Sequence, residues 1–316
     1  MRILVTGGAG FIGSHIVDAF VEAGHEVAII DSFWPHGGGR RANVNTNARL
    51  FEIDIRDGGA VADVFSSFKP TYVSHHAAQH SVAISTQDPL YDADVNVKGL
   101  LTILTLAAEH RVKKVIFASS AATYGTPQYL PVDEKHPQVP ESPYGITKMV
   151  AEHYLRYFSS AHDLAFSALR YGNVYGPRQD PNGEAGVIAI FAARILKGES
   201  IRIDWDGEQQ KDYVYAGDIA RANLLALDRG NGEAINVGTG VSTSVNALHR
   251  LIADAVGRDV DVVHAPKRPG DIYKCIFAIE KAKHELDWQP QTQLSAGIAK
   301  TVEFFRTAVN QDSRPR

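Results

Sequence analysis

The chain has 316 residues, of which 44 % are hydrophobic, and its 32 basic and 36 acidic side chains give a net charge of −4 at pH 7. This composition is ordinary for a folded protein, and the weak negative balance argues against a nucleic-acid or anionic-membrane partner. The single cysteine, Cys275, excludes an intramolecular disulfide and a cysteine-based zinc site, while the absence of a long apolar run or a leader pattern predicts a cytoplasmic protein.

Short runs rich in β-branched residues alternate with longer helical patterns over the first half of the chain. These runs predict strands at residues 2–5, 26–30, 49–53, 72–75, 115–118 and 165–169. The segments between them predict helices at residues 11–23, 59–67, 89–110 and 143–161. Because alternating strands and helices form a parallel sheet with helices on both faces, we expect an α/β fold with a doubly wound sheet.

The pattern changes after residue 169, where the predicted strands become shorter and more scattered. They lie at residues 201–203, 213–215, 234–237 and 260–264. Helical patterns return at residues 187–196, 218–228, 245–256, 279–286 and 294–308. We therefore predict a first domain over residues 1–170, to which some later elements return, and a smaller C-terminal α/β substrate lobe mainly over residues 171–316.

A glycine-rich turn joins the first predicted strand to the first predicted helix, in the stretch Thr6-Gly7-Gly8-Ala9-Gly10-Phe11-Ile12-Gly13. Gly7 suits a tight turn, Gly10 lets the backbone approach a pyrophosphate, and Gly13 lets the helix pack on the strand. The helix N-terminus then presents N–H groups and the positive end of its dipole to phosphates. The turn therefore predicts a dinucleotide site of the Rossmann type.

Asp31, at the end of the second predicted strand, indicates which dinucleotide binds. A carboxylate at this place accepts hydrogen bonds from the adenosine ribose diol and repels a 2′-phosphate, which favours NAD over NADP. Arg40 and Arg41 leave NADP open, although they follow the flexible stretch Gly37-Gly38-Gly39 and a solvated basic loop is the simpler interpretation.

A tyrosine and a lysine four residues apart form a second group, in the stretch Ser142-Pro143-Tyr144-Gly145-Ile146-Thr147-Lys148. Ser142 suits an N-cap and Pro143 the first helical position, so Tyr144 and Lys148 should share one helix face. Because an ammonium group favours a nearby phenolate, we expect the pKa of Tyr144 to lie below its ordinary value of about 10. Such a tyrosine exchanges protons with a sugar hydroxyl near neutral pH.

Ser120 lies at the end of the fifth predicted strand, in the stretch Ala118-Ser119-Ser120-Ala121. Ligands in open α/β sheets bind beyond the C-terminal ends of the strands. Ser120 is therefore expected beside Tyr144, where its hydroxyl shares the reacting oxygen of the substrate.

Further stretches support these motifs along nearly the whole chain. They are Asp54-Ile55, His76-Ala77-Ala78, Asn96-Val97, Ser119-Ser120 and residues 169–178, 211–214 and 268–271. Together they resemble the extended short-chain dehydrogenase/reductase family, in its NAD-dependent epimerase/dehydratase branch. Within that branch the chain resembles the UDP-hexose 4-epimerases, which act on UDP-glucose and UDP-galactose.

The resemblance implies a role for each matching residue. Tyr144 would be the catalytic base and acid, Lys148 its electrostatic partner and a ligand of the nicotinamide ribose, and Ser120 a helper. The NAD site would consist of Gly7, Gly10, Phe11, Ile12, Gly13, Asp31, Asp54, Ile55, Ala77, Ala78, Asn96, Ser119, Tyr144, Lys148 and Tyr171. The UDP-sugar site would consist of Ser120, Tyr144, Asn173, Val187, Ile188, Arg202, Lys211, Arg268, Asp271 and Cys275, with Arg178 a weaker candidate.

The implied reaction is an oxidation followed by its reversal. Tyr144 removes the proton of the sugar 4-hydroxyl while the C4 hydride moves to NAD⁺, which leaves a 4-keto sugar. That intermediate turns over in the site and takes the hydride back on its other face. NAD is regenerated in each cycle and can stay bound, while the protein contributes orientation and charge.

Three positions bear on the substrate. The stretch Ala121-Ala122-Thr123 has no acidic residue, which argues against the 4,6-dehydratases and decarboxylases of the same superfamily. Lys211 stands where the epimerases usually have arginine, so the charge is kept but the two-pronged fit to a diphosphate is lost. Cys275 falls where the family has a residue bordering the sugar ring, and its small side chain predicts that UDP-GlcNAc and UDP-GalNAc are also accepted.

Other activities on this fold stay open as alternatives. A UDP-uronate 4-epimerase, or a reductase that exchanges its cofactor, would share most of these motifs. The stretch at residues 121–125 also resembles the heptose-nucleotide 6-epimerases, which favour NADP and fit Asp31 less well. A non-catalytic NAD-binding sensor would be expected to lose the Tyr144–Lys148 pair, which is intact here.

The remaining expectations concern metals and partners. The histidines at residues 75, 76 and 80 lack the spacing of a metal site, so no metal is expected. A homodimer is expected through the predicted helix at residues 89–110 and the helix that carries Tyr144, as in the enzymes that the chain resembles. The predicted partners are therefore a UDP-sugar and a second copy of the chain.

Overall fold

The computed structural model describes residues 1–35, 37–182, 186–267 and 272–312, with the side chains of residues 308–312 left out of the description. Within these ranges, no helix combines the length and the apolar character that crossing a membrane would require.

The described residues form thirteen β-strands, which assemble into three sheets. They are β1 (Arg2–Thr6), β2 (Glu26–Asp31), β3 (Arg49–Glu52), β4 (Tyr72–His75), β5 (Lys114–Ser120), β6 (Ala165–Tyr171), β7 (Asn173–Tyr175), β8 (Ile201–Asp204), β9 (Gln210–Tyr215), β10 (Glu233–Val237), β11 (Ser242–Ser244), β12 (Val262–Ala265) and β13 (Lys274–Cys275).

The helices surround these sheets. They are α1 (Phe11–Glu22), α2 (Gly58–Phe68), α3 (Val82–Gln87), α4 (Pro89–Ala93), α5 (Gly99–Glu109), α6 (Pro143–His162), α7 (Val187–Lys197), α8 (Ala216–Leu225), α9 (Val245–Val256), α10 (Glu280–Leu286) and α11 (Leu294–Asp312). A π-helical turn, Asp94–Lys98, separates α4 from α5.

Seven parallel strands form the main sheet, in the order β10-β6-β5-β4-β1-β2-β3. Strand β1 pairs with β2 on one side and with β4 on the other, so the direction of winding reverses between β1 and β4. Ligands of doubly wound sheets bind beyond the carboxyl ends of the strands at such a reversal. The topology therefore confirms the Rossmann-type α/β prediction and positions a site next to Thr6 and His75.

Two apolar layers sandwich the main sheet. One layer packs α2, α5 and α6 against it through residues such as Phe65, Leu104 and Leu155. The opposite layer contains α1 together with α8 and α10, so Phe20 shares a core with Trp288. Elements from the second half of the chain therefore return to the first sheet, most directly through β10 beside β6.

The rest of the second half forms a separate apolar core. Helices α7, α9 and α11 pack there around residues such as Phe191, Leu248 and Ile298. Strand β9 pairs with β7, β11 and β13, while β8 pairs with β12. Because β7 follows directly after β6, this lobe begins where the main sheet ends and faces the carboxyl ends of its strands.

The predicted helix at residues 89–110 is confirmed as one continuous helical segment, but it contains a π turn that the sequence pattern did not predict. Helix α4 ends at Ala93, the π turn follows, and a regular helix resumes only at Gly99. The π turn keeps Asp92 and Asn96 in one buried hydrogen-bond network, which a helical pattern in the sequence does not reveal. The sequence patterns also miss α3, β7, β11 and β13, which are too short to display a period.

Candidate active site

A cavity of about 560 Å³ lies beyond the carboxyl ends of β1, β4 and β5 and extends towards the second lobe. Most residues predicted from the sequence as ligands line it: Gly7, Gly10, Phe11, Ile12, Gly13, Asp31, Asp54, Ile55, Ala77, Ala78, Ser119, Ser120, Tyr144, Lys148, Tyr171, Asn173, Arg178, Lys211 and Cys275.

The glycine turn is built as a close-packed cradle. Gly7 has a φ of +70°, and its amide donates to the Ile30 carbonyl oxygen at 2.7 Å. A Cβ atom on Gly13 would lie 2.1 Å from the Gly7 carbonyl oxygen, so only glycine lets α1 start this close to the turn. The N-terminus of α1 is thereby directed at the cavity, where its N–H groups favour an anion.

Asp31 lies in the cavity wall at the end of β2. Its carboxylate accepts hydrogen bonds from the Ala9 and Phe33 amides, each at 3.0 Å. Burial raises the pKa of Asp31, and these two hydrogen bonds oppose the rise. A Cβ atom on Gly39 would come within 2.5 Å of Asp31 Oδ1, so this glycine lets the loop close against the carboxylate.

The basic residues that left NADP open pair with other carboxylates. Arg40 Nη2 lies 2.9 Å from Asp180 Oδ2, and Arg41 Nη2 lies 2.7 Å from Glu52 Oε2. The Arg40–Asp180 pair joins the loop that contains the three glycines to the segment at residues 178–180, both of which border the cavity. Neither arginine neutralises Asp31, so the wall beside that carboxylate suits a ribose diol better than a 2′-phosphate.

Ser120, Tyr144 and Lys148 meet at the inner part of the cavity. Ser142 caps α6 by accepting the Gly145 amide at 3.1 Å, which starts the helix so that Tyr144 and Lys148 face β5. Lys148 Nζ donates to the Ala118 carbonyl oxygen at 2.8 Å and lies 5.7 Å from the centre of the Tyr144 ring. The Ser120 hydroxyl lies near the Tyr144 phenol and favours its ionised form.

The protonation of this pair differs from the expected one. Burial raises the pKa of Tyr144 to about 12, although the neighbouring Ser120 hydroxyl opposes the rise. Burial also lowers the pKa of Lys148 to about 8, because the loss of hydration disfavours the charged ammonium form. The expected lowering of the Tyr144 pKa is therefore wrong for the chain alone, because burial of the phenol raises that pKa by more than Ser120 lowers it.

Asn173, Lys211 and Cys275 line the cavity where the second lobe begins. Asn173 Nδ2 donates to the Asp212 carbonyl oxygen at 3.3 Å, and the Lys211 ammonium group donates to the Ile272 carbonyl oxygen. Strand β13 pairs with β9 so that Cys275 lies beside Lys211. Burial raises the pKa of the Cys275 thiol to about 11, which keeps it neutral.

Four predicted ligands lie among the described residues but outside the lining of this cavity. Asn96 bonds to the backbone N–H and carbonyl of Gln79, while Arg202 pairs with Asp204 at 2.7 Å. Val187 and Ile188 begin α7 and pack into the core of the second lobe, and the neighbouring Gly186 lines the cavity instead. Their roles as ligands stay predictions, and Arg268 and Asp271 fall outside the described residues.

The sequence patterns did not identify several parts of the wall, notably Trp34, Gln79 and Tyr91, and they indicated His76 only as part of a supporting stretch. The Trp34 and Tyr91 rings lie 5.3 Å apart, and the His76 ring stacks parallel to Tyr171 at 6.3 Å. Trp34 follows Asp31 by three residues, so its place after a strand end is a signal that sequence reasoning could have used.

The residues at this cavity fit a dinucleotide. The glycine cradle leaves the backbone open to a pyrophosphate, and Asp31 offers carboxylate oxygens where an adenosine ribose would lie. The far end places a phenol, an ammonium group and a hydroxyl together, which is a set of groups for moving a proton on a bound alcohol.

Comparison with known proteins agrees with this geometry. The model of the NAD dependent epimerase/dehydratase family matches residues 3–238. A protein named putative UDP-glucose 4-epimerase from Methanocaldococcus jannaschii is 44 % identical over 306 residues, which cover 96 % of this chain and 98 % of that protein.

Solved structures give the same result. The crystal structure of UDP-glucose 4-epimerase with UDP-glucose from Thermotoga maritima has a TM-score of 0.95 and 46 % identity, and the match covers 98 % of this chain and all (100 %) of that one. The UDP-glucose 4-epimerase of Thermus thermophilus in complex with NAD has a TM-score of 0.92 and 43 % identity, with coverage of 98 % and 100 %.

Proposed function

The chain belongs to the NAD dependent epimerase/dehydratase family, and we propose that it interconverts UDP-glucose and UDP-galactose by inverting C4 of the hexose. The main support is that Ser120, Tyr144 and Lys148 lie together at one end of a cavity, while the glycine-rich turn that fits a dinucleotide lies at its other end. The likeness to epimerases that bind UDP-glucose and NAD supports the choice of substrate and cofactor.

The lining residues divide the cavity between cofactor and substrate. Gly10 and the N-terminus of α1 would hold the NAD pyrophosphate, Asp31 the adenosine ribose, and Lys148 the nicotinamide ribose. Asn173 and Lys211 would contact the UDP-sugar from the second lobe, together with the predicted ligands Arg202, Arg268 and Asp271. When bound, NAD⁺ would accept the hydride from C4 of the hexose and would add the positive charge of its oxidised ring.

The chain's own groups move the proton. Tyr144 is placed to take the proton of the 4-hydroxyl, and Ser120 donates a hydrogen bond that stabilises the oxygen as it loses that proton. The Lys148 ammonium stabilises the phenolate form of Tyr144, which burial alone disfavours. The 4-keto sugar must then present its other face, and the returning proton is again delivered from Tyr144.

The direct test uses the purified protein with UDP-galactose and no added NAD, followed through the anomeric proton signals by NMR. We expect UDP-glucose to grow to a fixed ratio, and the same ratio to be reached from UDP-glucose. Conversion that needs stoichiometric NADH would show a reductase instead. Absence of conversion, with NAD supplied, would refute the UDP-galactose proposal and move the search to N-acetylated and uronic UDP-sugars.

A second substrate pair is favoured by one observation. Cys275 borders the cavity beside Lys211 with a side chain much smaller than an aromatic one. We propose that this space admits a 2-N-acetyl group, so that UDP-GlcNAc and UDP-GalNAc are also interconverted. The same NMR measurement with UDP-GalNAc tests it.

We also propose a homodimer that forms through α6 and the helices beside it. Ile146 and Tyr157 are 45 % and 59 % exposed, and they lie about three helical turns apart on one face of α6. Leu90 on α4 and Val82 on α3 are also exposed, at 83 % and 47 %. Apolar residues gathered on one side of a molecule are typical of an interface between subunits.

A further inference from the structure

Asp92 is a buried carboxylate beside the catalytic helix that the proposed mechanism does not use. Its exposed fraction is 0 %, although a buried charge is costly unless it is compensated. It lies in α4, two residues before the π turn within the predicted helix. Such turns within helices are frequent at functional sites.

Asp92 accepts hydrogen bonds from neutral donors on three different segments. Oδ1 accepts from Gln79 Nε2 at 2.8 Å and from Asn96 Nδ2 at 3.0 Å. Oδ2 accepts from the Thr147 hydroxyl at 3.0 Å. Among the residues that the structure describes, no lysine or arginine forms an ion pair with Asp92, so its hydrogen-bond partners are neutral dipoles, while the Lys148 charge acts on it from beyond ion-pair distance.

Thr147 connects Asp92 to the catalytic helix. It lies between Tyr144 and Lys148 on α6, and its hydroxyl is 2.9 Å from the Tyr144 carbonyl oxygen as well as 3.0 Å from Asp92 Oδ2. Asn96 adds a hydrogen bond to the same hydroxyl at 3.2 Å. The network therefore fixes the turn of α6 from which both Tyr144 and Lys148 project.

The charge of Asp92 also acts on Lys148 across this network. Asp92 raises the pKa of Lys148, while burial lowers it, with a net value of about 8. Among the described residues, Tyr144, His75 and His76 are further titratable groups near Lys148, and burial lowers the pKa of both histidines so that they are neutral. Asp92 is thus a charged group that favours the ammonium form of Lys148.

We propose that Asp92 is a positioning residue for the proposed epimerase reaction, which holds the Tyr144–Lys148 turn through Thr147 and supplies the buried negative charge that Lys148 faces. The catalytic part of this inference rests on the proposed function. Its electrostatic part concerns the chain alone and can be measured without turnover.

The variant Asp92→Asn removes the negative charge and keeps nearly the same side-chain shape. The two sites on Oδ1 stay acceptors, and an Nδ2 at the position of Oδ2 can donate to the Thr147 hydroxyl, so the network can persist while the charge is removed. Glu109→Gln, at an exposed position at the end of α5, is the matched control for losing one negative charge.

Titration of lysines labelled at Cε, followed by carbon NMR, reports Lys148 directly, and a Lys148→Met variant assigns its signal. We expect the Lys148 titration to move to lower pH in Asp92→Asn and to stay in place in Glu109→Gln. With UDP-galactose, we expect kcat to fall about tenfold at pH 8, with KM changed less than about twofold. The alkaline limb of the kcat profile should move to lower pH.

Thr147→Ala removes the hydroxyl but keeps the carboxylate, so it serves as the second variant. We expect a lower kcat with the Lys148 titration and the alkaline limb unchanged. An unchanged Lys148 titration in a folded Asp92→Asn protein would overturn the proposal. If Asp92→Asn fails to fold, a shifted Lys148 titration in Thr147→Ala would overturn it, because that variant keeps the carboxylate. A wild-type protein that converts no UDP-galactose refutes the proposed function, whereas the Lys148 titration still decides the electrostatic claim.

Discussion

Desolvation controls the two groups on which proton transfer depends. The Tyr144 phenol has a pKa near 12 and the Lys148 ammonium a pKa near 8, each displaced towards its neutral form. A phenol in this state binds its proton too tightly to act as a base without a nearby positive charge. The catalytic groups are therefore in position in the chain alone, but the pKa of Tyr144 would have to fall on binding of cofactor and substrate before the phenol could act as a base.

Replacing Tyr144 with phenylalanine removes the group that takes the hydroxyl proton and leaves the ring. We expect kcat for UDP-galactose to fall by about 10²–10⁴-fold, the range that one general base contributes. The NAD content of the purified protein, measured after denaturation, should match that of the wild type, because the cradle at the other end of the cavity is untouched. A variant with wild-type kcat would remove Tyr144 from the mechanism.

Replacing Cys275 with tyrosine fills the space beside the sugar. We expect turnover of the UDP-GalNAc and UDP-GlcNAc pair to fall by about 100-fold or more, with the UDP-galactose pair much less affected. Cys275→Ser, which keeps the small volume, is the control and should retain both activities. NMR assays of both pairs check this, and equal loss on both would contradict a size limit at this position.

The predictions about single catalytic residues depended on local sequence motifs. Ser120, Tyr144 and Lys148 could be found because a cap, a helical spacing and a strand end place them by local rules. Asp92 and Gln79 could not, because their importance arises from hydrogen bonds to α6 and the π turn that no short spacing encodes. The direction of the Tyr144 pKa shift was missed for a similar reason, since burial depends on the whole fold.

At the scale of elements, an internal ion pair fastens α6 to the sheet. Glu152 on α6 accepts from Arg170 on β6 at 2.9 Å and 2.6 Å and from the Ser119 hydroxyl on β5 at 2.6 Å. Both charged side chains are almost wholly buried, at 3 % and 4 % exposure. The helix that carries Tyr144 is thus fixed to the strand that carries Ser120 at a second point.

Glu152→Leu would leave the Arg170 guanidinium buried without its carboxylate. We expect the free energy of unfolding, measured with urea, to fall by about 3–5 kcal/mol, because an unpaired buried charge is strongly destabilising. The double variant Glu152→Leu/Arg170→Met should regain much of that loss. A single variant as stable as the wild type would show that water or another group compensates Arg170.

Element prediction succeeded where the sequence period was long and regular, as for α6 and α9. At residues 89–110 it found the helix but not the π turn within it, because apolar residues continue through that turn. Asp92 and Asn96 hydrogen-bond with each other and with Gln79 at this turn. Such hydrogen bonds between distant segments have no signal in the local sequence pattern.

For the whole molecule, the alternation of strands and helices was enough to predict the doubly wound sheet. The return of β10, α8 and α10 to that sheet could be anticipated only in general terms, because it depends on pairing between residues far apart in the chain.

The proposed dimer can be tested by placing charges on the exposed face of α6. We expect Ile146→Glu/Tyr157→Lys to elute as a monomer and the wild type as a dimer in size exclusion with light scattering, because burying a charge at an apolar interface is costly. Val241→Glu, at a residue of the second lobe that is 64 % exposed, is the control and should remain dimeric. A monomeric wild type would refute the dimer.

The Arg40–Asp180 pair has a consequence for the protein's place in cellular metabolism. The two side chains are 53 % and 32 % exposed and join the two segments that border the cofactor end of the cavity. Ions in solution weaken such a contact, since exposed charges are screened within about 8 Å at physiological ionic strength. A dinucleotide bound beneath it would therefore leave somewhat faster as the salt concentration rises, so that the ionic strength of the cell would influence how long one cofactor molecule serves the same polypeptide.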